Sequence, residues 1–457
     1  MAGMSAAFDA AAFKQRLLKG VGANAYGQLV SIGVQLLSVP VFLHFWGLNL
    51  YGEWLILSAI PAYFGLSDIG FATVAGNDMA MRVAQDDRSG ALEVYQSVWL
   101  LISGMSLLVA AIAALLLSTL PLGSMLALPH IPAAQAAATM FVLILYVLVG
   151  LQGGVLNAGF RSSGRYAYGT TLSNTTRLAE WLLAVATLAC GGGVVQVACA
   201  LLLGRCGGTA CQWLALRREL PWLRLGCAAG RRATVRRLFK PALAFMAFPL
   251  GQALNIQGMI LVLGLTLAPS AVVVFSTYRT LTRLLIQAVS LLNHAVWPEI
   301  SAAYGAGSMT LVRSLHRKGS MAAFWIGLAG AVCLGIGGIW VIGAWVRHAF
   351  APDPLLLALL LLAAFLNILW QTSSMVLMAT NRHQLISLFF LASTAGGLLL
   401  SALLIRLLGI DGAAMAMILA EVPMLFYAIG AALSVAGDKF PGYARAIVGA
   451  PFKRFTH

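Results

Sequence analysis

The chain has 457 residues, 60% of them apolar and 9% charged, with 29 Lys and Arg against 14 Asp and Glu, a net charge of +15. That balance excludes a soluble globular core and points to a chain that crosses a membrane many times. The positive excess sits in short links between apolar stretches, so it argues for anionic lipid head groups as partners and against nucleic acid.

Hydropathy divides the chain into about twelve stretches long enough to span a bilayer core. They cover residues 21–45, 51–75, 94–119, 135–160, 170–190, 194–216, 241–267, 271–297, 319–345, 355–380, 385–407 and 412–434. With successive links on alternate sides, one side receives 23 Lys and Arg residues, from Lys14, Arg16 and Lys19 through the eight between Arg217 and Lys240 to Lys439, Arg445, Lys453 and Arg454. The other receives Arg347 and Arg406. This asymmetry predicts cytoplasmic termini. The expected organisation is a cytoplasmic segment 1–20, a six-helix bundle 21–216, a basic cytoplasmic linker 217–240, a second bundle 241–434 and a tail 435–457. No cleavage motif follows Lys19, so the first span is expected to be an uncleaved signal anchor. The longest link on the non-cytoplasmic side, roughly 120–134, is too short for a domain. The six cysteines lack a C-x-x-C pair, and most lie in or at the ends of apolar spans as small apolar residues.

The first span carries Asn24, Gln28, Ser31, Gln35 and Ser38, spaced to fall on one helix face. The second adds Glu53 near its outer end, Ser58, Pro61 and the deeper Asp68. Arg177 and Glu180 in the fifth are three residues apart and placed to pair locally, whereas Arg205 in the sixth has no local partner. The seventh holds Gln252, Asn255 and Gln257 behind Pro249. The eighth carries a second stripe, Ser276, Thr280, Arg283, Gln287, Ser290 and His294, with Arg279 alongside. Glu421 lies near the middle of the twelfth, two residues before Pro423. Interhelical hydrogen bonding alone explains many such stripes. Two arginines one turn apart repel, however, unless water or an anion meets them.

The halves read as a repeat. Val155–Gly159 closes the fourth span and Val376–Thr380 the tenth, each before a short basic loop, at an offset of 221. An even span number and a cytoplasmic linker imply parallel repeats. Under that offset Arg177, Arg205, Arg279 and Arg283 meet Leu398, Phe426, Ser58 and Ala62, so the scaffold does not require arginine there. No phosphate-binding G-x-x-x-x-G-K-[ST] loop and no H-E-x-x-H occurs, which argues against ATP hydrolysis and metal-dependent hydrolysis. No cofactor, metal or catalytic residue is implied.

Asn24–Gln28, Gln35–Pro40, Trp46-Gly47, Tyr51-Gly52-Glu53-Trp54 and Leu66–Phe71 with its Asp68-Ile69-Gly70 make the chain resemble the Wzx-type polysaccharide flippases. These belong to the superfamily of multidrug, oligosaccharidyl-lipid and polysaccharide exporters. The resemblance implies an all-α polytopic fold, with about twelve helices in two six-helix bundles around a central cationic cavity. It implies a cell inner membrane protein that moves an undecaprenyl diphosphate-linked oligosaccharide to the periplasmic leaflet for surface polysaccharide assembly. Helices one, two, seven and eight would line the cavity, a set that leaves out Arg177 and Arg205.

The residues themselves point the same way. Arg283 and Arg279 suit phosphate oxygens. Asn24, Gln28, Gln35, Asn255 and Gln287 suit sugar hydroxyls, and Arg205 and Arg177 are further candidates for the anion. Asp68, Glu421 and Glu53 are candidates for a coupling proton or sodium. Three alternatives stay open: a cation-coupled multidrug or metabolite antiporter of the same superfamily, a membrane enzyme of polysaccharide assembly, and a non-transporting interaction protein. The absence of a long non-cytoplasmic loop weighs against the enzyme.

Overall fold

The computed structural model describes residues 10–68, 70–119, 126, 128–380 and 382–449, apart from the side chains of 10–17, 244, 245, 295 and 383. Lys14, Arg16, Lys453, Arg454 and much of the 120–134 link therefore lie outside the described side chains. Helices dominate, and the described residues contain no strand. In chain order they are α1 (Ala10–Tyr63), α2 (Phe71–Ala84), α3 (Arg88–Thr119), α4 (Ala133–Ser162), α5 (Tyr166–Ala189), α6 (Val194–Glu219) and α7 (Arg232–Ala253). A π-helical turn, Leu254–Gly258, then leads into α8 (Met259–Thr266), α9 (Pro269–Gly305), α10 (Met309–Trp345), α11 (Pro354–Ala379), α12 (His383–Leu408), α13 (Ile410–Ala436) and α14 (Phe440–Val448).

Nine described segments are long and apolar enough to cross a membrane. One of them runs from Leu18 to Ala84 over 67 residues, more than two crossings of about 20 residues each need. It breaks at Gly47, whose φ of 69° no β-carbon tolerates easily. Helices α5 and α9, with 24 and 37 residues, are long enough but too polar for the same test. They are the helices that carry Arg177 with Glu180 and Arg279 with Arg283. Counting the long segment twice and adding these two yields the twelve crossings expected from hydropathy, and a multi-pass membrane protein.

The chain forms two compact units, one made of residues up to Phe45 with Ile60–Met246, the other of Trp46–Ala59 with Ala247 onward. Within the first, α4 packs on α6, α5 on α6, α3 on α4, and α2 on both α3 and α4. Within the second, α11 packs on α13, α12 on α13, α10 on α11, and α9 on both α10 and α11. The neighbour scheme is the same. The starts of α3 and α10 (309 less 88) and of α4 and α11 (354 less 133) both differ by 221. The repeat read from spacing is thus built into the packing. Trp46–Ala59 belongs to the second unit because Gly52 and Ile56 meet Pro269 and Gly264 there. A β-carbon on Gly52 would lie 2.1 Å from the Pro269 carbonyl oxygen.

Each unit has an apolar core. In the first it gathers Phe71, Met79, Tyr95, Val98, Phe160 and Leu216. In the second, Trp370, Phe390 and Met424 form one cluster and Ile300, Val312 and Val376 another.

After α13 the chain turns at Gly437 (φ 62°), and the short amphipathic α14 packs on α10 with Tyr443 and Ile447 buried. The Tyr443 hydroxyl meets Ser373 (2.9 Å) and Ser320 (3.1 Å), and its ring stacks on His316 at 4.9 Å. Asp438 fastens the turn. Its carboxylate accepts from Arg317 Nε (2.7 Å) and Nη2 (2.5 Å) and from the Lys439 amide (2.8 Å). The Arg317 bonds, then the Lys439 amide, hold this carboxyl below its ordinary 3.8. A lowered folded-state value means that the stabilisation is complete above the ordinary value and fades as pH falls through the lowered one. The contribution of Asp438 to the docking of α14 should therefore not change between about pH 5 and 8 and should fade only below about pH 4. Asp438→Asn should cost about 1–3 kcal/mol at neutral pH, read as a lower melting temperature with faster amide exchange in α14. Unchanged exchange in that variant would remove the fastening role.

Candidate functional site

The second unit holds a cavity of about 150 Å³ walled by α9, α11, the end of α7, the π-helical turn and inner stretches of α12 and α13. Its polar lining is Arg279, Thr282, Arg283 and Gln287 from α9, Gln252 and Asn255 from α7 and the turn, Asn367 and Gln371 from α11, and Glu421 from α13. Ile256, Ile286, Leu360, Ala363, Ala364, Phe390 and Met417 supply the apolar remainder.

The α9 wall consists of residues 279, 282, 283, 286 and 287, one helix face at spacings of three and four. Arg279 is thus a full member of the cavity face. The expected stripe is rotated, since Ser276, Thr280, Ser290 and His294 are not among the lining residues. Thr280 and Ser290 turn their hydroxyls back onto the carbonyls of Ser276 (2.7 Å) and Gln287 (2.8 Å) of their own helix.

Arg279 is 6% exposed. It donates through Nη2 to Asn255 Oδ1 (2.9 Å) and through Nη1 to the Ile256 carbonyl (3.4 Å). Both acceptors lie in the π-helical turn. Such a turn disturbs the regular α ladder and marks functional segments in many helices. Here it presents a backbone acceptor that a guanidinium can use, which spacing did not reveal. Arg283 is half-buried and lies about 6 Å further along the helix axis.

Glu421, 5% exposed, accepts from Asn367 Nδ2 at 3.1 and 3.2 Å and, in a short bond, from Trp370 Nε1. Asn367, Trp370 and Gln371 escaped the sequence reading. The available signal was a pair of amides four residues apart in a Leu-rich run.

The structure brings Arg279, Arg283, Asn255, Gln287 and Glu421 to this one cavity. Glu53 is also in the second unit, and it is fully buried.

The other candidates lie in the first unit. Its α1 stripe packs on α5, where Tyr166 donates to Asn24 (3.0 Å), Arg177 Nη1 to Ser31 (2.9 Å) and Trp181 Nε1 to Ser38 (2.9 Å). Gln28 and Gln35 are half-buried on the same helix. Gly27 makes this approach possible, because a β-carbon there would lie 2.4 Å from Asn174 Nδ2. Arg177 and Glu180 do not form the local pair that their spacing allowed. Glu180 instead meets Arg205, with Nε 2.7 Å from Oε1 and Nη2 donating to Oε2 at 2.9 Å. Tyr146 completes the cluster. Its hydroxyl donates to Glu180 (3.0 Å) and accepts a short bond from Arg205, whose guanidinium lies 4.4 Å from the ring centroid. Arg205 lacked a partner only in sequence, because the partner sits 25 residues away on the adjacent helix.

Asp68 lines a second polar cavity of about 430 Å³ with Asn157, Arg161, Tyr166, Ser173 and Asn174. Its Oδ1 accepts the Gly70 amide (3.0 Å) at the left-handed Gly70 (φ 77°), shaping the break before α2. Arg161 there donates to Asn77 Oδ1 (2.6 Å) and the Thr73 carbonyl (3.0 Å).

No family model matches the sequence, and no curated protein matches it. Solved structures do. An inward-facing multidrug resistance MATE transporter of the MOP superfamily superposes with a TM-score of 0.70 at 15% identity, covering 91% of this chain and 99% of that one. The lipid II flippase MurJ, inward closed, superposes with a TM-score of 0.69 at 12% identity, covering 93% and 89%. A MOP superfamily transporter from Pyrococcus furiosus, described as having a binding pocket of reversed polarity, gives 0.56 at 15% over 92% and 94%. The fold is that of the MATE transporters and the lipid II flippase. It is all-α and polytopic, and these neighbours are transporters rather than enzymes.

Proposed function

We propose that this protein is a flippase of the Wzx type, which carries a polyprenyl-diphosphate-linked oligosaccharide across the inner membrane for surface polysaccharide assembly. The observation that carries the reading is the pairing of Arg279 and Arg283 on the cavity face of one membrane helix, among the amides of Asn255, Gln287, Asn367 and Gln371. Guanidinium forks match phosphate oxygens, and amides match sugar hydroxyls. A desolvated arginine pair is costly, and a bound dianion offsets that cost. Exposing the cavity to each side in turn moves the head group while the polyprenyl tail stays in lipid. An inside-negative potential of about 100 mV drives two negative charges outward and releases roughly 4–5 kcal/mol.

Glu421 in the same cavity favours a second reading, a cation-coupled antiporter of multidrug type. Binding to the purified protein separates the two. The flippase reading expects a polyprenyl diphosphate to bind at least about tenfold tighter than the monophosphate, with affinity that weakens as salt rises. Cationic dyes should bind weakly. Tight dye binding with no measurable diphosphate binding would establish the antiporter and sink the flippase.

A further inference from the structure

We propose that the face formed by α3, α4 and α6 of the first unit binds one anionic phospholipid, with its acyl chains in an apolar groove and its phosphate between Arg217 and Arg224. The site is separate from the arginine cavity of the second unit and does not depend on the transport reading.

Two adjoining cavities compose it. The first, about 460 Å³, is a groove lined by Trp99 of α3, Val149 and Leu156 of α4, and Ala210 and Trp213 of α6. The polar side chains Ser103 and Gln152 in its wall hydrogen-bond to each other (3.4 Å), which lowers their demand for water. The second, about 540 Å³, is lined by Trp213, Leu216, Arg217, Pro221, Leu223, Arg224 and Leu225. Trp213 and Leu225 belong to both, so the groove and the basic chamber adjoin.

Along α6 the order is Cys206, Thr209 with Ala210, Trp213, then Arg217, one helix face some 17 Å long. Apolar lining thus gives way to positive charge in one direction, the polarity of a phospholipid. All three groove helices are long and apolar enough to cross a membrane, which makes a lipid a fitting occupant of this face.

The cations are available for a phosphate. Arg217 lies 5.7 Å from the Trp213 ring centroid, a contact that positions the guanidinium and leaves its edge donors unused. Arg224 donates its Nε to the Pro221 carbonyl (3.0 Å), which orients it and leaves both terminal nitrogens. Neither is ion-paired among the described residues, because the adjacent carboxylate Glu219 is taken by Arg165 at 2.9 Å. A free phosphate would use only the basic end and a neutral lipid only the groove. The adjacency of the two fits a lipid with both parts.

The test uses the full chain purified in detergent, with native mass spectrometry and thermal melting in added phosphatidylglycerol, phosphatidylcholine or inorganic phosphate. Phosphatidylglycerol should bind at least about tenfold tighter than phosphatidylcholine and raise the melting temperature. The double variant Arg217→Gln, Arg224→Gln should lose that preference while melting as the parent does in phosphatidylcholine. The variant Arg217→Lys, Arg224→Lys should keep most of it, because the charge remains. Arg283→Ala should bind phosphatidylglycerol normally, so that failure of the transport reading leaves this result intact. Equal binding of the two lipids by the parent protein overturns the proposal. So does inorganic phosphate that stabilises as well as phosphatidylglycerol, or a folded double-glutamine variant that keeps the preference.

Discussion

Arg283→Ala abolishes export in a flippase-null strain while the amount of protein in the membrane stays at the parental level. This expected result rests on the position of Arg283, half-buried on the cavity face of α9 and not within an apolar core. Truncation there removes charge-assisted bonds to phosphate, each worth about 1.5–3 kcal/mol, and two such bonds correspond to a rate loss of about 100-fold or more. Arg283→Lys should recover part of the activity, because the charge survives but the planar fork does not. Arg279 adds a structural load, since it bonds Asn255 and the Ile256 carbonyl in the π-helical turn. Arg279→Ala should therefore lose both export and thermal stability. Full complementation by Arg283→Ala at normal expression would remove the guanidinium pair from the mechanism.

The second large effect is on stability. Glu180→Ala strands Arg205, which is 27% exposed on α6 and loses its only carboxylate partner among the described residues. Breaking a buried pair from one side costs about 3–5 kcal/mol, because one charge remains without compensation. Replacing both by apolar residues of similar size, Glu180→Leu with Arg205→Met, should restore most of that loss. Melting of the purified variants reads the cycle, and transport by the double variant reads the remaining question. If the double variant melts near the parent and still exports, Arg205 is a scaffold residue. If it melts normally and fails to export, Arg205 belongs with the substrate contacts. Equal melting of Glu180→Ala and the parent would dissolve the structural account of this cluster.

The two arginine-bearing helices show what sequence reading can reach. In α9, spacing alone placed Arg283 and Gln287 on one face, because helical periodicity is a local property. The face turned out to centre on Arg279, Thr282 and Ile286 as well, since packing against α10 and α11 decides which side of a helix a cavity occupies. In α5, the local rule offered Arg177 with Glu180. The fold sent Arg177 to Ser31 on α1 and Glu180 to Arg205 on α6. Both choices have local cost, and the neighbouring helices decided between them.

Composition and period thus determined the class of this molecule from its sequence: a twelve-crossing membrane protein, built as two repeats 221 residues apart, with arginines at depths where lipid does not tolerate them. These are consequences of desolvation and helical geometry, which act within one segment at a time. Only the tertiary structure paired Arg205 with Glu180, sent Arg177 to Ser31 and set Arg279 and Arg283 on a cavity. It also assigned Trp46–Ala59 to the second unit and revealed Asn367 and Trp370 around Glu421. Those outcomes depend on contacts between segments tens to hundreds of residues apart, and no pattern within a single helix contains them.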